Sequence, residues 1–382
     1  MKLLRRDLLL IGLINMAVMF CYTVLGALLP LLLKDKGFDS GTIGFAVGSI
    51  SFGSVLGFLI SAPAIDRFDR RWFIFAGGLT WAITSLLMVW TNAALGVALL
   101  RLAQGAGYAV LYTASLVYAT QSLPVEWRGR LVGVIEAIGA TSISVTPLIA
   151  YALAGAAGLF AAFLAAAGVG VLIAFCAWLL PGQAAPARVH PAAVFQILER
   201  RAVVPSLAAA ALFFSASAFV NLAPLVALRL DVTQIGLFLG LRALGTVPTR
   251  LLSGYLADRL PLPAIIIPGY TLAILALLPL PFAAQEWIAL GLAFLFGCGM
   301  GLASPALSVW VLNSTPPHQQ AAALNTLYLF SEGSGFLGAW AFGLWLDHFN
   351  LYAIYGLCGA IFLGLLGYLL FQHRQAASAK TE

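Results

Sequence analysis

Twelve long apolar segments follow one another along this chain of 382 residues. Each is near or above the ~20 residues that an α-helix needs to cross the hydrocarbon core of a bilayer. A segment in hydrocarbon must satisfy its own backbone hydrogen bonds, and these segments lack the period-2 alternation of membrane β-strands. The chain is therefore predicted to be an all-α membrane protein with twelve transmembrane helices. Their approximate spans are 7–33, 42–65, 72–92, 94–121, 130–154, 158–180, 203–229, 233–257, 263–284, 287–312, 319–346 and 351–371.

Composition supports a membrane protein and excludes a soluble one. Charged residues make up only 9% of the chain and hydrophobic residues 62%, with a mean hydropathy of +0.99. A soluble domain carries about a quarter charged residues, so this chain could not cover its surface in water. The first apolar stretch runs to about residue 33, well beyond the ~7–15 residues of a cleavable signal core, and is interpreted as a retained helix.

The net charge of +6 arises from basic residues concentrated on one side of the membrane, and so indicates topology rather than nucleic-acid binding. With the N-terminus inside, three basic residues fall outside: Lys34, Lys36 and Arg229. Fourteen fall inside, namely Lys2, Arg5, Arg6, Arg67, Arg70, Arg71, Arg128, Arg130, Arg188, Arg200, Arg201, Arg259, Arg374 and Lys380. Cytoplasmic loops are enriched in Lys and Arg. Both termini are therefore predicted to be cytoplasmic, in a bacterial-type inner (plasma) membrane.

The chain contains an internal repeat of half its length. Asp66-Arg67 recurs as Asp258-Arg259, 258 − 66 = 192 residues later. The same gapless offset carries Gly105-Ala106-Gly107 onto Gly297-Cys298-Gly299, and Pro124 onto Pro316. Duplication in an apolar chain is typical of secondary transporters, whose two halves move about a central site.

One polar, Pro/Gly-rich stretch separates the sixth and seventh segments. It begins with Pro181-Gly182 and ends with Glu199-Arg200-Arg201. The predicted organisation is an N-terminal six-helix bundle (1–182), a cytoplasmic linker (183–202) and a C-terminal six-helix bundle (203–382). Other separations are weaker, and only Gly155 to Gly158 divides the fifth segment from the sixth.

Local motifs resemble those of the major facilitator superfamily, and the resemblance covers the whole chain. The family's loop between helices 2 and 3 carries Gly-x-x-x-Asp-Arg-x-Gly-Arg-Arg. This sequence matches four of its positions and has Ala62 and Asp69 in place of the glycines; the matching residues are Asp66, Arg67, Arg70 and Arg71. Arg-x-x-Gln-Gly-x-Gly, on helix 4 of the family's proton-driven members, is matched in full by Arg101, Gln104, Gly105 and Gly107.

The family's antiporter signature on helix 5, which ends in Gly-Pro-x-x-Gly-Gly, is only partly present. Pro147 is the residue that remains of it. The helix 4 motif Arg101-x-x-Gln104-Gly105-x-Gly107 and the loop Arg128-Gly129-Arg130 resemble those of the family's drug and metabolite exporters. The resemblance thus favours export, whereas the degraded signature supports an importer or facilitator as the alternative.

The resemblance implies two pseudo-symmetric six-helix bundles, a gate and a central cavity. The gating loops comprise Asp66, Arg67, Arg70, Arg71, Asp258 and Arg259. Asp66 would meet the N-terminus of the eleventh helix, where unpaired N–H groups attract a carboxylate, and Arg70 could reach Glu126. Helices 1, 4, 7 and 10 would line the cavity, with polar candidates Asn15, Tyr22, Tyr108, Tyr112, Asn221 and Asn313.

Five charged residues lie well within the apolar segments, and none has a charged counterpart 192 positions away: Arg101, Glu136, Arg242, Arg250 and Glu332. An ionisable group at membrane depth costs several kcal/mol, so each needs a reason. Arg250 can extend to the membrane surface and is interpreted as structural. The other four are candidates for substrate binding or proton coupling.

Alternatives remain open for each of these four residues. Arg101 is expected to bond the fifth segment, and the resemblance links it to proton coupling; it could instead simply lock two helices. Arg242 and Glu332 lie at similar depth and could form a buried ion pair or be bridged by substrate. Glu332 is the preferred proton carrier. Glu136 is the rival, or simply faces the cytoplasmic vestibule.

Other signals point away from metal, cofactor and enzyme chemistry. The four histidines are scattered and the four cysteines lie in apolar segments, so no metal cluster or disulfide framework is predicted. Gly297-Cys298-Gly299-Met300-Gly301 lies inside an apolar segment with no following Lys-Ser/Thr, which excludes a phosphate loop. No nucleophile constellation for a membrane enzyme is found.

The function predicted from the sequence is a secondary transporter that moves a small organic solute by alternating access. Proton-coupled export (antiport) is preferred, and the alternative is a proton-coupled importer or facilitator of a small organic anion or zwitterion. The proton gradient is the energy source, and no cofactor is expected. Predicted partners are the solute, protons and the lipid bilayer, with no nucleic acid, and the protein is expected to be a monomer.

Overall fold

The computed structural model describes residues 2–65, 68–121, 125–182, 198–220, 222–229, 232–257, 259–316, 320–348 and 350–378. These residues form α-helices and short 3-10 turns, with no strand among them. The chain divides into two compact units, Met1–Ile197 and Leu198–Glu382.

The first unit contains five continuous helical stretches: α1 (Lys2–Asp35), α2 (Ser40–Ile65), α3 (Arg70–Trp90), α4 (Ala94–Gln121) and α5 (Val125–Trp178). The last of these is two helices joined at Gly158, whose φ of 85° and ψ of 165° interrupt the helix. Glycine adopts positive φ at little cost because it lacks a Cβ. The predicted fifth and sixth segments are therefore the two parts of α5.

The second unit contains seven helices: α6 (Val203–Val220), α7 (Ala223–Arg229), α8 (Ile235–Ala257), α9 (Pro263–Leu277), α10 (Glu286–Asn313), α11 (Gln320–His348) and α12 (Leu351–Ser378). A 3-10 turn at Leu280–Phe282 extends α9. The predicted seventh segment is divided into α6 and α7, with Pro224 in the first turn of α7. Proline has no N–H to give to a preceding turn, which explains why one helix does not run through.

Among the described residues, nine helices are long and apolar enough to cross a membrane. They are α1 to α4, a stretch of α5 at Thr141–Trp178, and α6, α8, α9 and α10 of the second unit. Every predicted apolar segment corresponds to a helix, a helix pair or one part of α5. The prediction of an all-α membrane fold is confirmed.

Glycine residues allow close contacts between equivalent helices of the two units, α2 with α4 in the first unit and α8 with α10 in the second. In the first unit, a Cβ built on Gly105 of α4 would lie 1.9 Å from the carbonyl oxygen of Ile50 in α2. In the second, a Cβ on Gly297 of α10 would lie 1.8 Å from the carbonyl oxygen of Arg242 in α8. Both residues of the second contact are displaced by 192, because 297 − 105 = 192 and 242 − 50 = 192.

A second contact repeats with the same offset. Gly53 approaches Leu102 of α4, and Gly245 approaches Phe294 of α10, with Cβ-to-oxygen distances of 2.0 and 2.3 Å. The differences 245 − 53 and 294 − 102 are again 192. The internal repeat is therefore present in the helix packing of both bundles.

Candidate functional site

Three tyrosines predicted to line a cavity come together in the first unit. The rings of Tyr22 (α1) and Tyr108 (α4) have centroids 5.3 Å apart, and Tyr112 stacks on Tyr108 at 5.7 Å. All three side chains are half-buried. Phe58 of α2 and Trp81 of α3 complete this aromatic cluster, at 6.5 Å from Tyr108 and Tyr22 respectively. The cluster offers partly accessible aromatic surface from four helices.

Sequence reasoning did not identify Phe58 and Trp81 as members of this cluster. Neither was among the polar candidates, and both lie on helices other than the four that the resemblance implied would line the cavity. Trp81 is fully buried and Phe58 half-buried. The available signal was only that aromatic residues occur at these positions, which is common in membrane helices.

The three asparagines predicted for the cavity have different outcomes. Asn15 is 1% exposed, and its amide nitrogen donates to the carbonyl oxygen of Ile11 at 2.9 Å and to Ser115 Oγ at 3.2 Å. It therefore contributes to packing α1 against α4 rather than to an accessible surface. Asn313 is exposed at the last residue of α10, and Asn221 lies outside the described residues.

Arg101 is buried in α4, with 1% of its surface exposed. Its Nη1 donates to Oε1 of Gln104 at 3.0 Å, whereas a bond to the fifth segment was expected. Residues three apart share one face of a helix, which makes Gln104 the nearer partner. Nε of Arg101 and Nε2 of Gln104 have no hydrogen-bond partner within the described part of the chain.

Arg242 is also buried, with 8% exposed. Its Nε has no hydrogen-bond partner, and no ion pair joins it to Glu332 within the described ranges. Glu332 is half-buried in α11 and interacts with other groups. Of the two arrangements left open by the sequence, the direct Arg242–Glu332 pair is not formed.

The other two charged residues of the apolar segments add little to a site. Arg250 is exposed on α8, as expected of an arginine that extends to the surface. The side chain of Glu136 lies outside the described residues, so its proposed role stays a prediction.

The predicted gating loops are described in part. Asp66, Arg67 and Asp258 lie outside the described residues, so their roles remain predictions. Arg70 is fully buried, and its three guanidinium nitrogens have no hydrogen-bond partner among described residues. Arg259 is exposed and lies over the ring of Tyr255, 3.7 Å from its centroid.

Asp69, which replaces a glycine of the family motif, has a clear local function. It is the N-cap of α3, where its Oδ1 accepts a hydrogen bond from the backbone N–H of Arg71 at 3.1 Å. Its Oδ2 lies 3.0 Å from Nε of Arg71. An aspartate is a favoured N-cap residue, so the substitution stabilises the start of the helix.

In the part of the chain that the structure describes, no group of three or more histidine, cysteine or acidic residues could hold a metal ion. The first unit thus holds an aromatic cluster and the buried Arg101, and the second unit holds the buried Arg242 and the half-buried Glu332.

Comparison with known proteins identifies the family. The model of the Major Facilitator Superfamily matches residues 11–227 and 205–382. The chain therefore belongs to the major facilitator superfamily of membrane transporters. Comparison with curated protein sequences gives no match.

Solved structures share the fold along their whole lengths. A peptide transporter in complex with sulfate has a TM-score of 0.79 and 15% identity, covering 96% of this chain and 94% of that one. A D-xylose-proton symporter has a TM-score of 0.77 and 16% identity, covering 95% and 96%. The nucleoside transporter NupG has a TM-score of 0.76 and 13% identity, covering 97% and 98%. At these identities the likeness shows the fold alone.

Proposed function

We propose that this protein is a proton-coupled secondary transporter that exports a small organic solute by alternating access. The observation that carries the proposal is the placement of charge in the second unit: a buried arginine, Arg242, and a half-buried carboxylate, Glu332, within membrane helices. A charge at membrane depth is expensive and is usually retained for function.

Glu332 is our candidate for the proton carrier. It lies twelve residues after the first residue of α11, about 18 Å along a 29-residue helix. Protonation removes a charge that hydrocarbon disfavours, so the protonated and ionised forms favour different surroundings. Protonation from one side and release on the other would then couple the proton gradient to solute movement.

The direction of transport rests on the sequence motifs. The match to Arg101-x-x-Gln104-Gly105-x-Gly107 favours export. The alternative, import of an organic anion or zwitterion, is supported by the weak helix 5 signature and by the presence of a named proton symporter among the structural neighbours. We place the protein in the inner membrane with both termini cytoplasmic.

Reconstituted protein tests the proposal. A solute found by a thermal-shift screen is offered to proteoliposomes with and without an imposed pH gradient. For Glu332→Gln we expect loss of gradient-driven flux, while counterflow exchange at equal pH on both sides persists, because the variant still binds solute but cannot carry the proton.

Glu136→Gln is the matched control, since it removes the other carboxylate that lies well within the apolar segments. Normal gradient-driven flux by Glu332→Gln together with its loss in Glu136→Gln would move the coupling site to the first bundle. The orientation of the effective pH gradient distinguishes the two directions. Solute uptake driven by protons leaving the vesicle indicates antiport, and uptake with protons indicates symport.

A further inference from the structure

Arg242 lies on the buried side of α8. The exposed stripe of this helix contains Leu244, Leu251 and Tyr255, which are 57%, 66% and 57% exposed. At 3.6 residues per turn, Arg242 is about 200° around the helix from Leu244. The guanidinium is therefore on the opposite side from the surface that the isolated unit presents outward, and it cannot be explained as a side chain reaching towards that surface.

No protein group within the described residues neutralises this charge. Among the residues that the structure describes, the buried Nε of Arg242 has no hydrogen-bond partner, and no ion pair includes this arginine. The neighbouring hydroxyls do not bind it either: Thr246 Oγ1 donates to the carbonyl oxygen of Arg242 at 2.9 Å, and Thr249 Oγ1 to that of Gly245 at 2.7 Å. A buried charge without a partner is strongly destabilising.

Comparison of the two repeats indicates that the scaffold does not need this arginine. Its equivalent in the first bundle is Ile50, because 242 − 192 = 50, and the helix contact there is made equally well. Arg101, the buried arginine of α4, has Gln104 as its partner. The equivalent of Gln104 in the second bundle is Phe296, which stacks on Phe219 at 4.5 Å and offers no acceptor.

We infer that Arg242 binds an oxyanion, a carboxylate or a phosphate or sulfate group, carried by the transported solute. The inference rests on the proposed function, because it names the chemical class of that transporter's solute. A guanidinium presents Nε and one Nη in a planar fork that matches two oxygens of such a group. The unpartnered Nε leaves this edge of the fork available, and 8% of the residue is exposed for contact.

The test uses simple oxyanions as probes. The melting temperature of the purified protein is measured with sodium acetate, sodium phosphate or sodium sulfate at constant ionic strength, with sodium chloride as the reference. We expect at least one oxyanion to raise the melting temperature of the wild type above that in chloride. In Arg242→Gln we expect the apparent affinity of the protein for that oxyanion to fall roughly 10- to 100-fold, because charge-assisted hydrogen bonds are lost.

Further variants distinguish the contribution of the planar guanidinium of Arg242 from that of its positive charge. Arg242→Lys keeps the charge without the planar fork and should retain only part of the response. Arg250→Gln removes an exposed arginine from the same helix and should respond like the wild type. A response to acetate alone assigns a carboxylate, and a response to phosphate or sulfate alone assigns a tetrahedral oxyanion.

Arg242→Ile introduces the residue found at the equivalent position of the first repeat, Ile50, and tests whether Arg242 has only a structural role. We expect this variant to melt at or above the wild-type temperature without added anion, and to lack the oxyanion response. A clear drop in its melting temperature, an oxyanion response that survives in Arg242→Gln, or no oxyanion response in the wild type would overturn the inference. These results concern anion binding and stability, whereas the transport proposal is tested separately by the gradient-driven flux of Glu332→Gln, so failure here is distinct from failure of the transport proposal.

Discussion

Asp39 lies in the short connection between α1 and α2 and caps the first turn of α2. Its Oδ1 accepts a hydrogen bond from Thr42 Oγ1 at 2.5 Å, and its Oδ2 accepts one from the backbone N–H of Thr42 at 2.9 Å. The Thr42 hydroxyl, followed by its backbone N–H, holds the pKa of Asp39 below its usual value. The ionised carboxylate is therefore the form that stabilises the helix.

Replacement of Asp39 by alanine should lower the stability of the protein by about 1 kcal/mol at neutral pH, as is typical for an N-cap. Because the pKa is lower in the folded state, the contribution is fully present above the unfolded pKa of about 3.9 and disappears as the pH falls through the folded pKa. The difference in melting temperature between wild type and Asp39→Ala should therefore become smaller as the pH is lowered from 7 to 3.

Asp35→Ala is the control, because it removes an exposed acidic residue at the end of α1. A difference between wild type and Asp39→Ala that does not depend on pH would contradict the capping role of the carboxylate.

At the scale of helices, the closest packing in each bundle is made through glycine. Gly297 of α10 and Gly105 of α4 face backbone carbonyl oxygens so closely that a Cβ would lie 1.8 and 1.9 Å from them. Gly297→Ala or Gly105→Ala must push the two helices apart. We expect each to destabilise its bundle by about 1–3 kcal/mol, the usual range for overpacking.

Gly291→Ala is a control on α10 itself, since nothing lies within 4 Å of its Cβ position. Melting temperatures in detergent should fall for Gly297→Ala and stay at the wild-type value for Gly291→Ala. Equal effects of the two substitutions would show that glycine contacts do not determine the spacing of α8 and α10.

For the whole molecule, the distribution of basic residues predicts which loops are cytoplasmic. Cysteines introduced at Asp35, which is exposed after the first predicted span, and at Ala187 in the predicted linker should react with an impermeant reagent from opposite sides of the membrane. The four native cysteines lie in helices and are replaced beforehand. Labelling of both positions from the same side would contradict the topology.

The gate predicted from the family resemblance also belongs to the whole molecule. Asp66→Asn would remove the carboxylate that the resemblance implies at the N-terminus of the eleventh helix, and such an interaction contributes about 0.3–1 kcal/mol when exposed and up to ~2 when partly buried. The resting population should shift towards inward-open, and spin-label distances across the cytoplasmic face should lengthen. Unchanged distances in a normally expressed variant would exclude this lock.

The twelve apolar segments, the all-α fold and the repeat of 192 residues could be determined from the sequence. Hydrocarbon forces each segment to satisfy its own backbone, so the formation of each helix is a local property that hydropathy predicts. The repeat is equally direct, because duplicated glycines and charged pairs keep their spacing. The packing of Gly105 and Gly297 follows the same offset.

Side-chain partners were decided only by the tertiary structure. Arg101 pairs with Gln104 on its own helix, Arg242 does not pair with Glu332, and Phe58 and Trp81 join the tyrosine cluster. A partner depends on how each helix is rotated and how closely it approaches its neighbours. Both are set by packing contacts between residues far apart in sequence, which hydropathy along the chain does not record.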